Sequence, residues 1–346
     1  MRFSAMGDVA TTIPVIHSLA TQHSELRVTV LTRERFTPMY EWMPSNVRVI
    51  GIDLNDYKGI NGLYRLYSKI SSECSYDAVA DLHNVLRTKF LRTCFQMSGV
   101  KVAVINKGRK EKHELIGHGT SAKALRPMTE RYADVFRSLL GIDFKVSYDG
   151  REAVNKQYLA QQTMVDIRRF TGVKADGEKW IGIAPFAAHK QKIYPTESMR
   201  LTAKLLLEKG YKVFLFGAGC EETAELQSWE CDGMKSCCGK LKGLRDELLL
   251  MTQLDLMICM DSANMHMAAM VGTQTLSIWG ATHPKTGFMA YGQGEHNVIQ
   301  TEMACRPCSI YGNKPCHRGD MLCMTAIQPS DIVERAVTLL TNNACL

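Results

Sequence analysis

The sequence predicts an α/β protein built from two doubly wound parallel sheets, one in each half of the chain. Three observations lead to this fold class. The chain has 346 residues, more than one ordinary domain. Hydrophobic residues make up 45% of it, enough for two cores. Short apolar runs alternate with helical patterns, which is typical of parallel sheets with helices on both faces.

Four apolar, β-branched runs in each half are the expected strands. They span 27–32, 47–52, 77–82 and 101–105, then 180–185, 212–217, 254–260 and 274–280. Further along the chain, a helix is expected over about 151–169, followed by a polar join near 170–179. A last helix is expected over 329–343, and Ser330 or Asp331 opens it. The expected domains are therefore 1–170 and 178–328, followed by a C-terminal helical segment, 329–346. Ligands of such sheets lie at the carboxyl ends of the strands.

Composition limits the classes of partner. The net charge of +7 suits anionic small molecules, nucleic acid or an anionic membrane surface. No Lys/Arg run with interleaved aromatic residues stands out, so nucleic acid is not favoured. No apolar run approaches the roughly 20 residues that span a bilayer, and no secretory leader opens the chain. We therefore expect a soluble, cytoplasmic protein whose twelve cysteines are reduced.

Polar side chains follow several predicted strands of the second half. Lys190 and Lys192 precede a helix, where cations suit a phosphate, although lysines alone are better explained by a solvated loop. Glu221 and Glu222 either bind ribose hydroxyls or form only the acidic first turn of a helix.

The segment "CMDSANMHMAAMVG" (259–272) is the most informative of these strand ends. Asp261 ends a buried strand, and Ser262 and Ala263 open a helix whose first-turn amides can hold a phosphate. Asp261 would repel that phosphate, so it is better suited to sugar hydroxyls. His266 lies about one turn into the helix, and its role stays open. Together these strand ends indicate a nucleotide or a nucleotide-sugar as the ligand.

The first half opens with "RFSAMGDVAT" (2–11), a turn that leads into a helix. Gly7 permits the turn, and Asp8 is either a general base or the N-cap of the helix, two interpretations that the residues alone leave about even. Because Pro14 follows soon after, the helix either starts near Thr12 or bends there. Only residues 1–3 precede the turn itself, which leaves little room for a strand.

The chain resembles the heptosyltransferase family of bacterial lipopolysaccharide synthesis, glycosyltransferase family nine. The resemblance covers nearly the whole chain, and its carriers are "FSAMGDVATTIPVI", "DLHNVLRTKFL" (81–91), "KIYP" (192–195), the segment 243–273 and "WGATHP" (279–284). It implies the GT-B fold, in which two Rossmann-like domains face each other across a cleft. It also implies inverting transfer of heptose or a related sugar from an ADP-sugar to a lipopolysaccharide core or related glycolipid acceptor, without a metal or other cofactor.

The resemblance places the donor in the second domain. It implies that Lys192 neutralises the diphosphate and that Asp261 contacts the transferred sugar. Glu222 or Glu221 would hold the ribose, and the base would stack near Leu241 or Lys242. The remaining donor-binding candidates are Lys190, Ser262, Ala263 and His266. Family members usually have Gly where Ala263 stands.

The resemblance places the acceptor in the first domain. Asp8 becomes the catalytic base at the Gly7 turn, with Asp81 as the reserve base. The basic segment 106–120 contributes Lys107, Arg109, Lys110 and Lys112, which either meet phosphates of the acceptor or of the inner-membrane surface or belong to a solvated loop.

Two further questions stay open on the residues. Cys305, Cys308, Cys316 and Cys323 could close a structural zinc site, but only the first pair has ordinary zinc-ligand spacing, so zinc is the minority interpretation. The protein class also has rivals to a glycosyltransferase. A nicotinamide-dependent oxidoreductase is disfavoured because no G-x-G-x-x-G follows a strand. A GT-B-like sugar-nucleotide epimerase and a non-catalytic zinc-linked scaffold complete the set of rival classes.

Overall fold

The computed structural model describes residues 1–118, 123–158 and 163–342 and divides the chain into two compact units. The first unit contains Met1–Gly108 and Arg126–Tyr148, and the second contains Arg109–Leu125 and the chain from Asp149 onward. The division therefore differs from the expected boundary near 170. Packing explains the difference, because the Arg151 Nε donates to the Gly272 carbonyl at 3.1 Å.

The first unit contains the four strands predicted for the first half of the chain. They are β1 (Val28–Arg33), β2 (Val47–Ile52), β3 (Ala78–Asp81) and β4 (Lys101–Val104). Its helices are α1 (Met6–Ala10), α2 (Thr12–Gln22), α3 (Gly59–Glu73), α4 (Leu86–Met97) and α6 (Met128–Leu140), with a 3₁₀ helix at Glu34–Tyr40. The first helix starts at Met6 and is interrupted at Thr11, which agrees with the expected bend near Thr12 and not with a start there.

Residues 1–3 take the central position of the first sheet. β1 pairs in parallel with β2, and β3 pairs in parallel with β4. Between the two pairs, the Arg2 amide donates to the Leu31 carbonyl at 3.1 Å, and the Leu82 amide donates to the Met1 carbonyl at 3.2 Å. The Met1 amine donates to the Ala80 carbonyl at 2.7 Å. Three residues thus join the two ladders at the place where the sequence left little room for a strand.

A cavity of about 610 Å³ lies beside this junction. Its lining includes residues from Val28 to Leu31 of β1, residues from Ala78 to Ala80 of β3, and Met1 itself. The Met1 amine is buried there, and burial lowers its pKa from 8.0 to about 6. Residues 1–3 therefore bridge β1 and β3 near the carboxyl ends of these strands. The cavity separates the two strands closer to their amino ends.

The second unit is built on one continuous parallel sheet. Its strands are β5 (Trp180–Ala184), β6 (Lys212–Leu215), β7 (Met234–Ser236), β8 (Leu256–Met260), β9 (Thr275–Trp279) and β10 (Val298–Gln300), in the spatial order β10-β9-β8-β5-β6-β7. The order reverses between β5 and β8, which is the switch point of a doubly wound sheet. The sequence predicted four of these strands and missed β7 and β10, each only three residues long.

Helices flank this sheet. They are α5 (Arg109–His118), α7 (Gly150–Tyr158), α8 (Thr163–Thr171), α9 (Thr196–Glu208), α10 (Cys220–Gln227), α11 (Leu244–Gln253), α12 (Ala263–Met270), α13 (Leu322–Thr325) and α14 (Pro329–Asn342). The helix expected over 151–169 is helical on both sides of residues 159–162, which lie outside the described ranges. Every residue of β5, β8 and β9 is buried, as expected of strands covered on both faces. α14 adds Ile332, Val333 and Ala336 to the same core. No helix in the described ranges is long and apolar enough to cross a membrane.

Candidate functional site

Three side chains meet at the carboxyl edge of the second sheet. Lys192 ends a short 3₁₀ turn after β5, Asp261 follows β8, and Thr282 follows β9. The Lys192 Nζ lies 2.8 Å from the Asp261 Oδ2, and the Thr282 hydroxyl donates to the same oxygen at 2.8 Å. The side chains of Asp261 and Lys192 are 7% and 15% exposed. This arrangement holds an ammonium group in a fixed position at the sheet edge.

The N-terminus of α12 adjoins Asp261. Ser262 is the extended residue before the helix, and Ala263 is the first helical residue, as expected. The Ser262 Oγ is buried and has no hydrogen-bond partner among the described residues. The first-turn amides of a helix are free to bind an anion, and its dipole favours negative charge. His266 lies half-buried one turn further on.

Arg306 fixes the turn that carries Thr282, a role that sequence reasoning missed. The side chain is completely buried. Its guanidinium donates to the carbonyls of Gly280 (2.5 Å), Trp279 (3.1 Å) and Thr282 (2.9 Å). Burying a charge requires such full hydrogen bonding. The residue stands inside the "CRPC" motif, where the cysteines drew attention instead.

Gly312 approaches the stem of Lys192. A Cβ atom at Gly312 would lie 2.4 Å from the Lys192 Cγ, and the residue has a φ of 73°. Both facts call for glycine. The segment 305–323, which contains the four cysteines, therefore packs against the Lys192 side chain and helps to position it.

The other donor-site candidates lie at or near helix starts in the second unit, with Glu221 and Glu222 in the first turn of α10. The Glu222 Oε2 accepts from the Ala218 amide at 2.8 Å and so closes the turn after β6. The Lys242 amide donates to Asp246 at 3.0 Å. Leu241 is half-buried, whereas Lys190 and Glu221 are exposed. The assignments of these residues to phosphate, ribose and base stay predictions.

Asp8 lies in α1, at the carboxyl edge of the first sheet. Its Oδ2 lies 2.5 Å from the Arg2 NH2 and accepts from the Ala5 amide at 3.3 Å. Arg2 is in turn held by its NH1, which donates to the Leu82 carbonyl at 2.6 Å. Within the described chain, the Asp8 Oδ1 has no hydrogen-bond partner, and the side chain is 29% exposed. One carboxylate oxygen is thus anchored and the other is available.

His83 fixes the segment that leads to Asp8. Burial lowers the pKa of His83 to about 4, so the ring is neutral at physiological pH. The Phe3 amide donates to its Nδ1 at 3.4 Å. The ring proton therefore lies on Nε2, which is 3.1 Å from the Ser4 hydroxyl and donates to it.

Three acceptor-site expectations need correction. Asp81 is completely buried, and its oxygens accept from the His83 and Asn84 amides and from Arg92, so it is a structural carboxylate and no reserve base. Gly7 is a buried residue inside α1 with no positive φ, so it does not make a glycine turn. Lys112 is 5% exposed because its ammonium lies 4.4 Å from the centre of the Phe288 ring.

The remaining cations of the basic segment have different surroundings. Arg109 and Lys110 are exposed at the start of α5, in the second unit. Lys107 belongs to the first unit and is close enough to His83 to lower the pKa of that ring, after the larger effects of burial and Arg2. The expected basic surface is therefore divided between the two units.

The four cysteines of the proposed zinc site lie near one another. Burial first, and then the neighbouring thiols, Cys305 foremost, raise the pKa of Cys308 to about 11. The Cys308 Sγ donates to the Cys305 carbonyl at 3.2 Å. Among the described residues, no group of three or more His, Cys, Asp or Glu side chains is arranged to hold a metal ion. The zinc hypothesis therefore receives no support.

Two Rossmann-like units, one with an anchored carboxylate and one with a fixed lysine beside a helix N-terminus, define a class of protein: a glycosyltransferase of the GT-B type. The model of glycosyltransferase family 9 (heptosyltransferase) matches residues 64–315. The chain belongs to this family. The predicted enzyme class is confirmed, and neither an oxidoreductase nor an epimerase is supported.

Curated relatives and solved structures agree with the family match. Lipooligosaccharide heptosyltransferase 2 of Campylobacter jejuni is 27% identical over 49% of this chain and 53% of its own length. Lipopolysaccharide heptosyltransferase 1 of Pseudomonas aeruginosa is 22% identical over 98% of this chain and 97% of its own length. The chain thus spans about half of the first relative and nearly all of the second.

The fold is shared with solved family members. The crystal structure of a family 9 glycosyl transferase from Veillonella parvula matches with a TM-score of 0.71 and 18% identity, over 99% of this chain and 96% of that one. E. coli heptosyltransferase WaaC with ADP matches with a TM-score of 0.67 and 16% identity, over 97% and 98% of the two chains. The predicted GT-B fold class is therefore confirmed.

Proposed function

We propose that this glycosyltransferase moves heptose or a related sugar from an ADP-sugar to a lipopolysaccharide core or related glycolipid, with inversion at the anomeric carbon. The observation that carries the proposal is the Lys192–Asp261–Thr282 cluster beside the unpartnered hydroxyl of Ser262. The relatives named above and the structures of WaaC with ADP and with ADP-2-deoxy-2-fluoro heptose support a donor of this class.

In the proposal, the second unit binds the diphosphate of the donor. The Lys192 ammonium and the first-turn amides of α12 supply positive charge to the departing ADP, and the Ser262 hydroxyl gains an acceptor for its proton. Asp261 keeps Lys192 in place before the donor arrives and offers its remaining capacity to sugar hydroxyls. The leaving group is stabilised by groups that are already oriented, which is the main requirement of this half of the reaction.

The first unit supplies the base. The acceptor hydroxyl oxygen forms a bond to the anomeric carbon, the bond from that carbon to the diphosphate oxygen breaks, and ADP leaves with the electron pair. The hydroxyl proton passes to the Asp8 Oδ1, while Arg2 and the Ala5 amide hold Oδ2. A positioned carboxylate of this kind contributes roughly 10²–10⁴-fold to the rate.

The acceptor side includes contact with an anionic surface. Exposed Arg109 and Lys110 can meet phosphates of the glycolipid or of the cytoplasmic face of the inner membrane. Lys112 has no part in this contact, because it is buried against Phe288.

A donor screen tests the proposal. The protein is heated with ADP, ADP-heptose, UDP-sugars or NADH, because a ligand stabilises the state that it binds. We expect ADP and ADP-heptose to raise the unfolding midpoint most. Protection by NADH with none by ADP would overturn the proposal.

A further inference from the structure

Helix α5 docks on the second unit through a buried lysine. Along the chain the helix lies between two segments of the first unit, yet Arg109–Leu125 belongs to the second unit. Its Lys112 is buried, with the ammonium 4.4 Å from the centre of the Phe288 ring and 5.5 Å from that of the Tyr311 ring. The centres of the two rings are 5.8 Å apart. Aromatic faces attract a cation, and they do so more strongly where water is excluded.

Two further contacts hold the same segment on the second unit. Leu115, about one turn after Lys112, is buried on the same side of α5. At the end of the segment, the Leu125 amide donates to the Lys285 carbonyl at 2.8 Å. Lys112 is therefore the charged member of a docked face, and its contact is the one that reaches the two rings.

The loop that carries the Tyr311 ring also packs against Lys192. Gly312 follows Tyr311 directly, and a Cβ atom there would lie 2.4 Å from the Lys192 Cγ and 2.6 Å from its Cδ. The Gly312 amide donates to the Ser309 hydroxyl at 2.7 Å, which fixes this close approach. One short loop thus contacts the ammonium of Lys112 on one side and the stem of Lys192 on the other.

The loop is bonded to the turns that carry Thr282 and Lys192. The Cys308 amide donates to the Ala281 carbonyl at 2.9 Å. The Ala281 amide donates to the Gln191 carbonyl at 3.4 Å. A shift of the loop would therefore be passed to both turns at the carboxyl edge of the second sheet.

We propose that Lys112 is a positioning residue for Lys192. The ammonium of Lys112, held against the Phe288 and Tyr311 rings, keeps the loop 308–312 on the Lys192 stem, so the Lys192 ammonium is in place before the donor binds. Groups that are oriented in advance lose less freedom on binding, which increases affinity. The inference rests on the proposed function, in which Lys192 binds the diphosphate.

A double-mutant cycle on ADP affinity tests this coupling. ADP is titrated calorimetrically into the wild type, Lys112→Met, Lys192→Met and the double variant. We expect Lys112→Met to weaken ADP binding roughly three- to tenfold, with almost no further effect once Lys192 is replaced. The matched control is Lys123→Met, which removes an exposed cation of the same segment and should bind ADP like the wild type. An equal loss with and without Lys192 would overturn the inference, because Lys112 would then act by another route.

Tyr311 offers a second variant that leaves the buried lysine in place. Its side chain is 50% exposed, so Tyr311→Leu should fold, and Tyr311→Phe keeps the ring. We expect the leucine variant to weaken ADP binding as Lys112→Met does, and the phenylalanine variant to weaken it much less. Lys112→Arg should retain most of the affinity, because a guanidinium also stacks on aromatic faces. Equal ADP affinity of the two Tyr311 variants would overturn the role of the ring.

ADP must in turn stabilise the docking of α5, because coupling between two sites is reciprocal. Hydrogen exchange of the α5 amides is followed with and without saturating ADP. We expect ADP to slow this exchange in the wild type by roughly the same three- to tenfold factor, and to leave it unchanged in Lys192→Met. Unchanged α5 exchange in a wild type that binds ADP would overturn the inference alone. A wild type that does not bind ADP would overturn the proposed function, and the inference with it.

Discussion

The second unit holds a continuous six-stranded sheet, whereas the first unit holds two two-stranded ladders joined by residues 1–3. Each unit has candidate site residues at the carboxyl edge of its sheet. Lys192 lies on a sheet whose central strands are completely buried, and Asp8 lies on a junction next to a cavity of about 610 Å³. The difference shows that Asp8 is held by local contacts with Arg2 and the Ala5 amide, whereas Lys192 is positioned at the edge of a continuous, buried sheet.

The largest expected effect concerns Asp8. The Asp8→Asn substitution keeps the shape of the side chain but removes the base, so we expect transfer to fall roughly 10²–10⁴-fold. Affinity for ADP should stay the same, because that affinity belongs to the second unit. The change is measured by initial rates and by calorimetric titration with ADP. Retained turnover would remove Asp8 from the mechanism.

A smaller effect is expected for Lys192 of the second unit. The Lys192→Met substitution removes a charge-assisted contact of about 1.5–3 kcal/mol, so affinity for ADP should fall roughly 10–150-fold. Lys204→Met is the matched control, because Lys204 is exposed on α9. If ADP bound both variants equally well, Lys192 would not be a phosphate ligand.

The free energy of unfolding should fall over the same acidic pH range in the two units, although their sheets differ. Burial lowers the pKa of His83 in the first unit and of His283 in the second to about 4, from 6.5. The unfolded chain takes up protons below pH 6.5 before the folded chain does, so stability is present above pH 6.5 and is lost as the pH falls toward 4. Each histidine therefore contributes to the loss of stability over the same pH range.

Hydrogen exchange resolved by unit checks this expectation. The His83→Gln substitution should weaken the pH dependence of stability in the first unit only. The His283→Gln substitution should weaken it in the second unit only. An unchanged pH profile in both variants would show that these rings do not govern acid stability.

The smallest expected effect concerns the cavity beside residues 1–3. An extension of two isoleucines and two valines placed ahead of Met1 can enter the cavity and pair with β1 and β3. We expect it to raise the free energy of unfolding by about 1–2 kcal/mol. A Gly-Ser extension of equal length moves the buried amine without filling the space. Equal stability of the two extended proteins would argue against strand pairing in the cavity.

Local patterns predicted the fold well. The eight long strands were visible as apolar runs, because buried parallel strands are apolar on both faces. β7 and β10 were not predicted, because three residues are too few to show the apolar run of a buried strand. The join near 170 was misplaced because the packing of Arg151 against Gly272 depends on contacts between distant parts of the chain.

The sequence indicated candidate site residues but not their contacts. Asp8, Lys192 and Asp261 stood out by their positions after strands. Their partners, Arg2 and Thr282, depend on tertiary structure that no local pattern contains. Lys112 was assigned to a surface, although Phe288, far along the sequence, covers it. Asp81 was a plausible base until its burial and its contact with Arg92 were known.

The most direct test of the proposed function is acceptor-dependent release of ADP. The wild-type protein is incubated with ADP-heptose, with and without a heptose-deficient lipopolysaccharide core. ADP and the mass of the core are followed together. We expect ADP to appear only when the core is present, and each ADP released to be matched by one heptose added to the core. Turnover of ADP-heptose without an acceptor, or no ADP with any acceptor, would contradict it.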